Sequence, residues 1–200
     1  MRIGSTVVED IFSRAGAYLE GHFLLSSGTH SPFYLEKFQV LQWPQETERL
    51  CAAIAESARA LDVQTVAGPT TGGIILAHEV GRQLGVRAVY AERVAAGPGR
   101  EFRRGFQLQP GERVLVVDDI MSTGGSVQET IDAVNACGAE VVGVGVLVDR
   151  SNGQARFGEL PVIALWGVSI PVYTPADCPQ CAAGVPLVKP GTTPAPAMRV

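Results

Sequence analysis

The segment Val114-Leu-Val-Val-Asp-Asp-Ile-Met-Ser-Thr-Gly-Gly-Ser126 reads as a buried strand that runs into a glycine-rich turn and then a helix. Four consecutive aliphatics at 114–117 leave no polar face, as expected of a strand covered on both sides. Gly124 and Gly125 permit a tight turn, and Val127, Ile131 and Val134 then share one face of a helix predicted over 125–137. Such a turn aims several backbone N–H groups at one spot, where the helix dipole also favours an anion. The hydroxyls of Ser122, Thr123 and Ser126 add donors suited to a phosphate monoester. Asp118 and Asp119 would repel that phosphate, so their carboxylates address something else. Acceptor-only groups there suit sugar hydroxyls, or a cation held by them. No Lys follows the last glycine, which argues against a Walker A loop, and the G-x-G-x-x-G of a dinucleotide site is absent.

Helical and strand patterns alternate on either side of this segment. Helices are predicted over 5–19, capped by Ser5 or Thr6, over 45–61 and over 73–84, with an irregular or strand-like stretch at 22–41. Apolar strands are predicted at 63–67, 86–90, 141–148 and 162–168. Strands apolar on both faces and separated by helices imply a doubly wound α/β fold, a mostly parallel sheet with helices on both faces. Ligands of such sheets sit outside the carboxyl ends of the strands. The loops after Ala67, Tyr90, Val117 and Val148 are therefore expected to converge on one site.

Two hundred residues, 46% of them hydrophobic, suffice for one well-packed domain, expected over 1–190. The Pro- and Thr-rich end, residues 191–200, is expected to be a flexible tail. A net charge of -4 argues against a nucleic-acid partner held by its phosphates. With no signal-peptide pattern at the start and no apolar run of about 18 residues, no membrane association is expected and the cytoplasm is the expected compartment. Cys51 and Cys137 lie in apolar helical patterns and read as small core residues. Cys178-Pro-Gln-Cys181 supplies only half of a four-ligand zinc site, and no His lies near it in sequence. That pair reads first as a structural turn, with a metal or redox role as the alternative.

The whole 114–126 string resembles the 5-phosphoribosyl 1-diphosphate (PRPP) motif of type I phosphoribosyltransferases. The resemblance implies that Asp118, Asp119, Ile120, Met121, Ser122, Thr123, Gly124, Gly125 and Ser126 bind PRPP. The 5-phosphate would lie on 122–126, and the ribose hydroxyls on the two aspartates. Three further segments resemble the orotate phosphoribosyltransferases, in their bacterial branch: Gly21-His-Phe-Leu-Leu-Ser-Ser-Gly-Thr-His-Ser-Pro-Phe-Tyr34, Gly68-Pro-Thr-Thr-Gly-Gly-Ile74 and Leu147-Val-Asp-Arg150. Arg103-Arg-Gly-Phe106 and the late Cys-Pro-x-Cys stretch extend the likeness, which runs over 5–190.

What the family resemblance implies is specific. Thr71 and Gly72 would contact the diphosphate together with Arg93, while Ser122, Arg150, Ser26 and Tyr34 would hold orotate. The planar fork of Arg150 suits the edge of a pyrimidine, and Tyr34 or Phe33 offers a flat apolar wall. A hood from about 1–40 and 160–190 would cover a core of about 60–160. Residues 93–105 would form a lid that reaches across a homodimer interface, with catalytic Arg100, Arg103 and Arg104 stabilising the leaving diphosphate; on residue pattern alone a solvated hairpin with scattered arginines is the alternative. Mg²⁺ is the expected cofactor, carried by PRPP with no direct protein cage. Many relatives carry Lys at the positions of Ser26 and Gly72 and directly after the Arg that matches Arg93, where this chain has Val94. Lysine-based contacts therefore do not carry over, and the arginines of 93–104 are expected to replace them. Two other readings are a purine-type phosphoribosyltransferase, which the 21–34 segment argues against, and a non-catalytic PRPP-sensing regulator, for which an acidic chain offers little nucleic-acid surface.

Overall fold

The computed structural model describes residues 4–25 and 27–190, so Ser26 and the predicted tail at 191–200 lie outside the described residues. The elements run α1 (Ser5–Arg14), β1 (Tyr18–Leu24), β2 (His30–Leu35), α2 (Phe38–Leu41) and α3 (Pro44–Ala58). They continue through β3 (Thr65–Pro69), α4 (Gly72–Leu84), β4 (Arg87–Arg93), β5 (Arg100–Phe102) and β6 (Arg113–Met121). The last are α5 (Gly125–Ala136), β7 (Glu140–Asp149), β8 (Val162–Gly167) and α6 (Pro179–Ala182).

A six-stranded sheet of order β5-β4-β3-β6-β7-β8 forms the centre, parallel except for the edge hairpin β4–β5. The aliphatic run of β6 explains its central place. Leu115 and Val117 face a cluster built from α1, α3 and α4, and Val114 and Val116 face α5 through Val127, Ile131 and Val134. Each such fully buried side chain stabilises the fold by roughly 1.5–3 kcal/mol. On β7, Gly145 lets α3 approach, since a Cβ there would stand 2.6 Å from Ile54 Cγ2. Cys51 is wholly buried, and burial pushes its thiol up to about 12, as befits a packing residue.

From β3 the chain steps to β4 and β5 on one side, then returns to lay β6, β7 and β8 on the other. The winding direction thus reverses between β3 and β6, and a crevice opens at their carboxyl ends.

Several boundaries differ from expectation. The first helix stops at Arg14, not 19, because Gly16 takes the left-handed conformation (φ 65°) and turns the chain into β1. Its cap is Gly4, with no side-chain hydrogen bond from Ser5 or Thr6. The 22–41 stretch is largely the hairpin β1–β2, register Tyr18↔Leu35 to Leu24↔His30. β8 joins the main sheet, so the carboxyl-terminal chain that meets this hairpin begins after residue 167. Tyr173 exchanges both backbone hydrogen bonds with His30, each 2.8 Å, and Val188 pairs with the other edge at His22 and Leu24. Among the described residues no helix is long and apolar enough to cross a membrane.

Candidate active site

β6 does not end at Val117 but runs on to Met121, with Asp118 paired to Val146 and Met121 to Asp149 on β7. The acidic pair is therefore held in a strand at the floor of the crevice, nearly buried. Asp118 Oδ1 accepts the Asp119 N–H at 2.8 Å, and Asp119 Oδ1 accepts the Ile120 N–H at 2.7 Å. Burial, and then the neighbouring Asp119 charge, push the Asp118 carboxyl up to about 7. Past Met121 the chain turns through Ser122 and Thr123, and Gly124 at φ 82° opens α5. A side chain at 124 would be strained and would press on Ala155 and Phe157. Asp118 and residues 120–127 line a concavity of about 140 Å³. No acidic side chain occupies the first turn of α5, and its one local side-chain bond is a long one, Gly125 N–H donating to Thr123 Oγ1 at 3.4 Å, so the helix opens towards this space.

The loop after β3 closes the other side. Thr71 precedes α4, the Thr70–Thr71 peptide is cis, and Gly72 lies against Asp119, whose Oδ2 a Cβ would strike. Gly68 and Gly73 pack backbone to backbone, leaving no room for a Cβ at either. The segments 68–74 and 118–126, some fifty residues apart in sequence, thus meet at the switch point. Lys37, at the start of α2, reaches the same floor: its Nζ stands 3.1 Å from Asp119 Oδ1.

Arg150 follows β7 and donates its backbone N–H to Met121 O at 2.7 Å. Its Nε is buried with no hydrogen-bond partner. Burial lowers the guanidinium pKa, opposed by the Tyr34 and Tyr18 hydroxyls. The Tyr34 hydroxyl is raised by burial and then Glu36, with Lys37 and Arg150 acting the other way. Phe33 stacks on Tyr18, ring centroids 5.1 Å apart, while Tyr34 leans on Phe23. Tyr34 and Arg150 are thus brought together beside the acidic pair, and Phe33 serves the hairpin's own packing.

Residues 93–105 are not a free loop. β4 and β5 form a hairpin, Arg93↔Arg100 to Ala91↔Phe102, with Gly97 and Gly99 at positive φ in its turn. Arg100 is buried: its Nε lies 3.2 Å from Glu129 Oε2 and its Nη1 donates to Thr70 Oγ1 at 3.2 Å and Ala91 O at 3.3 Å. It ties the loop after β3 to β4 and α5. Arg103 pairs with Glu101, and Arg104 with Glu92 at 2.9 Å. Arg93 is exposed at the end of β4. No hydrogen bond or ion pair among the described residues ties Arg93, Arg103 or Arg104 to residues 118–126. A larger cavity of about 490 Å³, lined by Gln64, Arg87 and 109–112, sits at the amino ends of the strands, opposite the crevice.

Comparison with known proteins matches this arrangement. Residues 39–159 match the phosphoribosyl transferase domain. A protein named orotate phosphoribosyltransferase from Desulforamulus reducens is 52% identical over 92% of this chain and 94% of its own length. The chain belongs to the orotate phosphoribosyltransferase family. A second orotate phosphoribosyltransferase, from Caldanaerobacter subterraneus, is 46% identical over 92% of this chain and 96% of its own. The crystal structure of orotate phosphoribosyltransferase from Aeropyrum pernix superposes with a TM-score of 0.65 at 26% identity, covering 80% of this chain and 93% of that one. The expected type I phosphoribosyltransferase-like α/β fold is the fold found.

Lys37 and Glu129 escaped the sequence reading of this phosphoribosyltransferase. Lys37 had one signal: it is one of two lysines in the chain and closely follows the 21–34 motif. Glu129 had none, because only the hairpin brings Arg100 over α5.

Proposed function

We propose that the chain transfers the 5-phosphoribosyl group of PRPP to orotate, giving orotidine 5-monophosphate and diphosphate, as in de novo UMP synthesis. The observation that carries the reading is the crevice between β3 and β6, where an anion cradle, a buried acidic pair and a buried, unpartnered Arg150 Nε adjoin. In this reading the 122–126 loop and the amino end of α5 hold the 5-phosphate, and Asp118 and Asp119 accept from the ribose hydroxyls. Thr71, Gly72 and Arg93 flank the diphosphate. A ring nitrogen of orotate forms a bond to the anomeric carbon as that carbon's bond to the diphosphate oxygen breaks, with inversion, and the ring N–H proton is released to solvent. The protein's work is positioning and electrostatics, and the covered site keeps out water, a competing nucleophile.

Arg150, Tyr34, Ser122 and Ser26 are the proposed orotate contacts. The orphaned Arg150 Nε supports this assignment, since a buried donor lacking a partner in the free protein is suited to one on a ligand. Mg²⁺ fits as a passenger on PRPP. The acidic pair is already engaged by main-chain N–H groups and Lys37, so it is no preformed cage, but its carboxylates would face the ion's waters and the ribose hydroxyls. When bound, Mg²⁺ would supply positive charge for the departing diphosphate.

A homodimer with the 93–105 lid shared between copies belongs to this proposal. Phe38, Trp43 and Ile75, exposed on the mutually packed α2, α3 and α4 region, offer it apolar surface. A cytoplasmic location, a 1–190 catalytic domain with its hood, and catalytic roles for Arg100, Arg103 and Arg104 are further parts of it.

The test is Arg150→Ala, with kinetics in each substrate. Loss of a charged hydrogen bond to orotate should raise its KM about 10- to 100-fold and leave the KM for PRPP within about 3-fold. An unchanged orotate KM removes Arg150 from the site.

A further inference from the structure

The Cys178-Pro-Gln-Cys181 pair finds in space the histidines it lacks in sequence. His22, His30, Cys178 and Cys181 each turn one ligand atom to a common point, and those atoms lie within 4.8 Å of one another. His22 Nε2 is 3.0 Å from His30 Nδ1 and 3.4 and 3.7 Å from the sulfurs of Cys178 and Cys181, and His30 Nδ1 is 3.3 Å from Cys181 Sγ. Zinc bonds of about 2.0–2.1 Å to nitrogen and about 2.3 Å to sulfur give a tetrahedron with edges of roughly 3.3 Å between nitrogens and roughly 3.6 Å between nitrogen and sulfur. The four separations scatter around those edges.

The protonation pattern points the same way. Val185 O can only accept, so the 2.8 Å contact from His22 Nδ1 must carry the ring proton. That leaves the Nε2 lone pair of His22 aimed at the other three groups. A ligating imidazole that donates its other N–H to a backbone carbonyl is the usual support for a metal-bound histidine. His22, His30 and Cys178 are buried and Cys181 is exposed, which gives an ion a way in. Both thiols are free, so no disulfide uses them. The hairpin sets the two rings side by side, centroids 4.9 Å apart, just past a bulge between Glu20 and Phe23, and the 178–185 chain folds into a tight turn.

We propose that these four side chains bind one Zn²⁺, with loss of both thiol protons, as a closed structural site. It clips the β1–β2 hairpin, which carries Tyr34, to the carboxyl-terminal segment. All four ligands fall outside the 39–159 stretch matched by the phosphoribosyl transferase domain, so the site is an addition to that domain. It does not depend on which base the enzyme uses.

The test uses the full chain produced with zinc in the medium and washed free of loose metal. About one equivalent of zinc per chain is expected, and a strong chelator should lower Tm by more than about 5 °C, with recovery on adding Zn²⁺ alone. Co²⁺ in its place should give the visible bands of a tetrahedral centre and thiolate charge transfer. Cys181→Ser, at the exposed ligand, should cut retained zinc at least about 10-fold, whereas Cys137→Ser should keep it. Wild-type protein that holds no zinc and ignores the chelator overturns the proposal, as does a Cys178–Cys181 disulfide in the protein as isolated. Zinc undiminished in Cys181→Ser overturns it too. The wild-type arms decide even if the variant fails to fold.

Discussion

Asp118 is a residue whose surroundings change its chemistry strongly. Burial and the adjacent Asp119 raise its carboxyl to about 7, while Lys37 and Arg100 pull the other way. Between its ordinary value and about 7 the folded protein therefore holds a proton that the unfolded chain has released. Where the native state binds more protons, stability falls as pH rises, so this group makes the fold less stable at pH 7 than at pH 5. Asp118→Asn keeps the acceptor for the Asp119 N–H and removes the titration. Urea denaturation at pH 5 and pH 7.5 should show the wild type losing stability relative to Asp118→Asn, and parallel behaviour would contradict the shift. The aspartates, Ser122 to Ser126 and Arg150 were legible as residue types in telling places. Lys37 was not, since its partner Asp119 lies 82 positions away, and only the fold brings the two within 3.1 Å.

At the level of elements, apolar periodicity located most helices and strands, because each buries a face against the central sheet. The misplaced edges have local causes. Acidic side chains hid the last turn of β6, where pairing to β7 outweighs the weak strand preference of Asp. Gly16 ended α1 early. Residues 93–105 were legible as a basic, glycine-tipped stretch, with a solvated hairpin as the alternative to a lid, and a hairpin with three paired residues on each side is what forms. Its arginines divide by environment: Arg100 is buried against Glu129 and Thr70, whereas Arg103 and Arg104 pair with carboxylates at the surface. Arg100→Ala should therefore lower both Tm and turnover, because it strands Glu129 and frees the 70–72 loop. Arg103→Ala and Arg104→Ala should leave Tm within about 2 °C, surface pairs being weak. At least one of the three should cost about 10-fold or more in kcat. Wild-type turnover in all three would remove the lid arginines from diphosphate stabilisation.

At the scale of the whole molecule, the strand order matters more than any one strand. Reversal of winding between β3 and β6 opens a crevice where the 68–74 and 118–126 loops can meet. Alternating elements implied a doubly wound sheet, but no local pattern gives the order of its strands. No local pattern pairs residues 173–188 with the β1–β2 hairpin, and only the family resemblance suggested a hood drawn from both chain ends: His22 and Cys178 are 156 positions apart, yet their ring and sulfur are 3.4 Å apart. Orotate phosphoribosyl transfer is the central claim, and the site proposed for it draws on crevice, Arg150 and hairpin together. The most direct measurement incubates the chain with PRPP, Mg²⁺ and each of orotate, adenine and hypoxanthine, and follows base consumption and diphosphate release. Orotate alone should disappear, with one orotidine 5-monophosphate formed per diphosphate. Consumption of adenine or hypoxanthine with orotate untouched would contradict it.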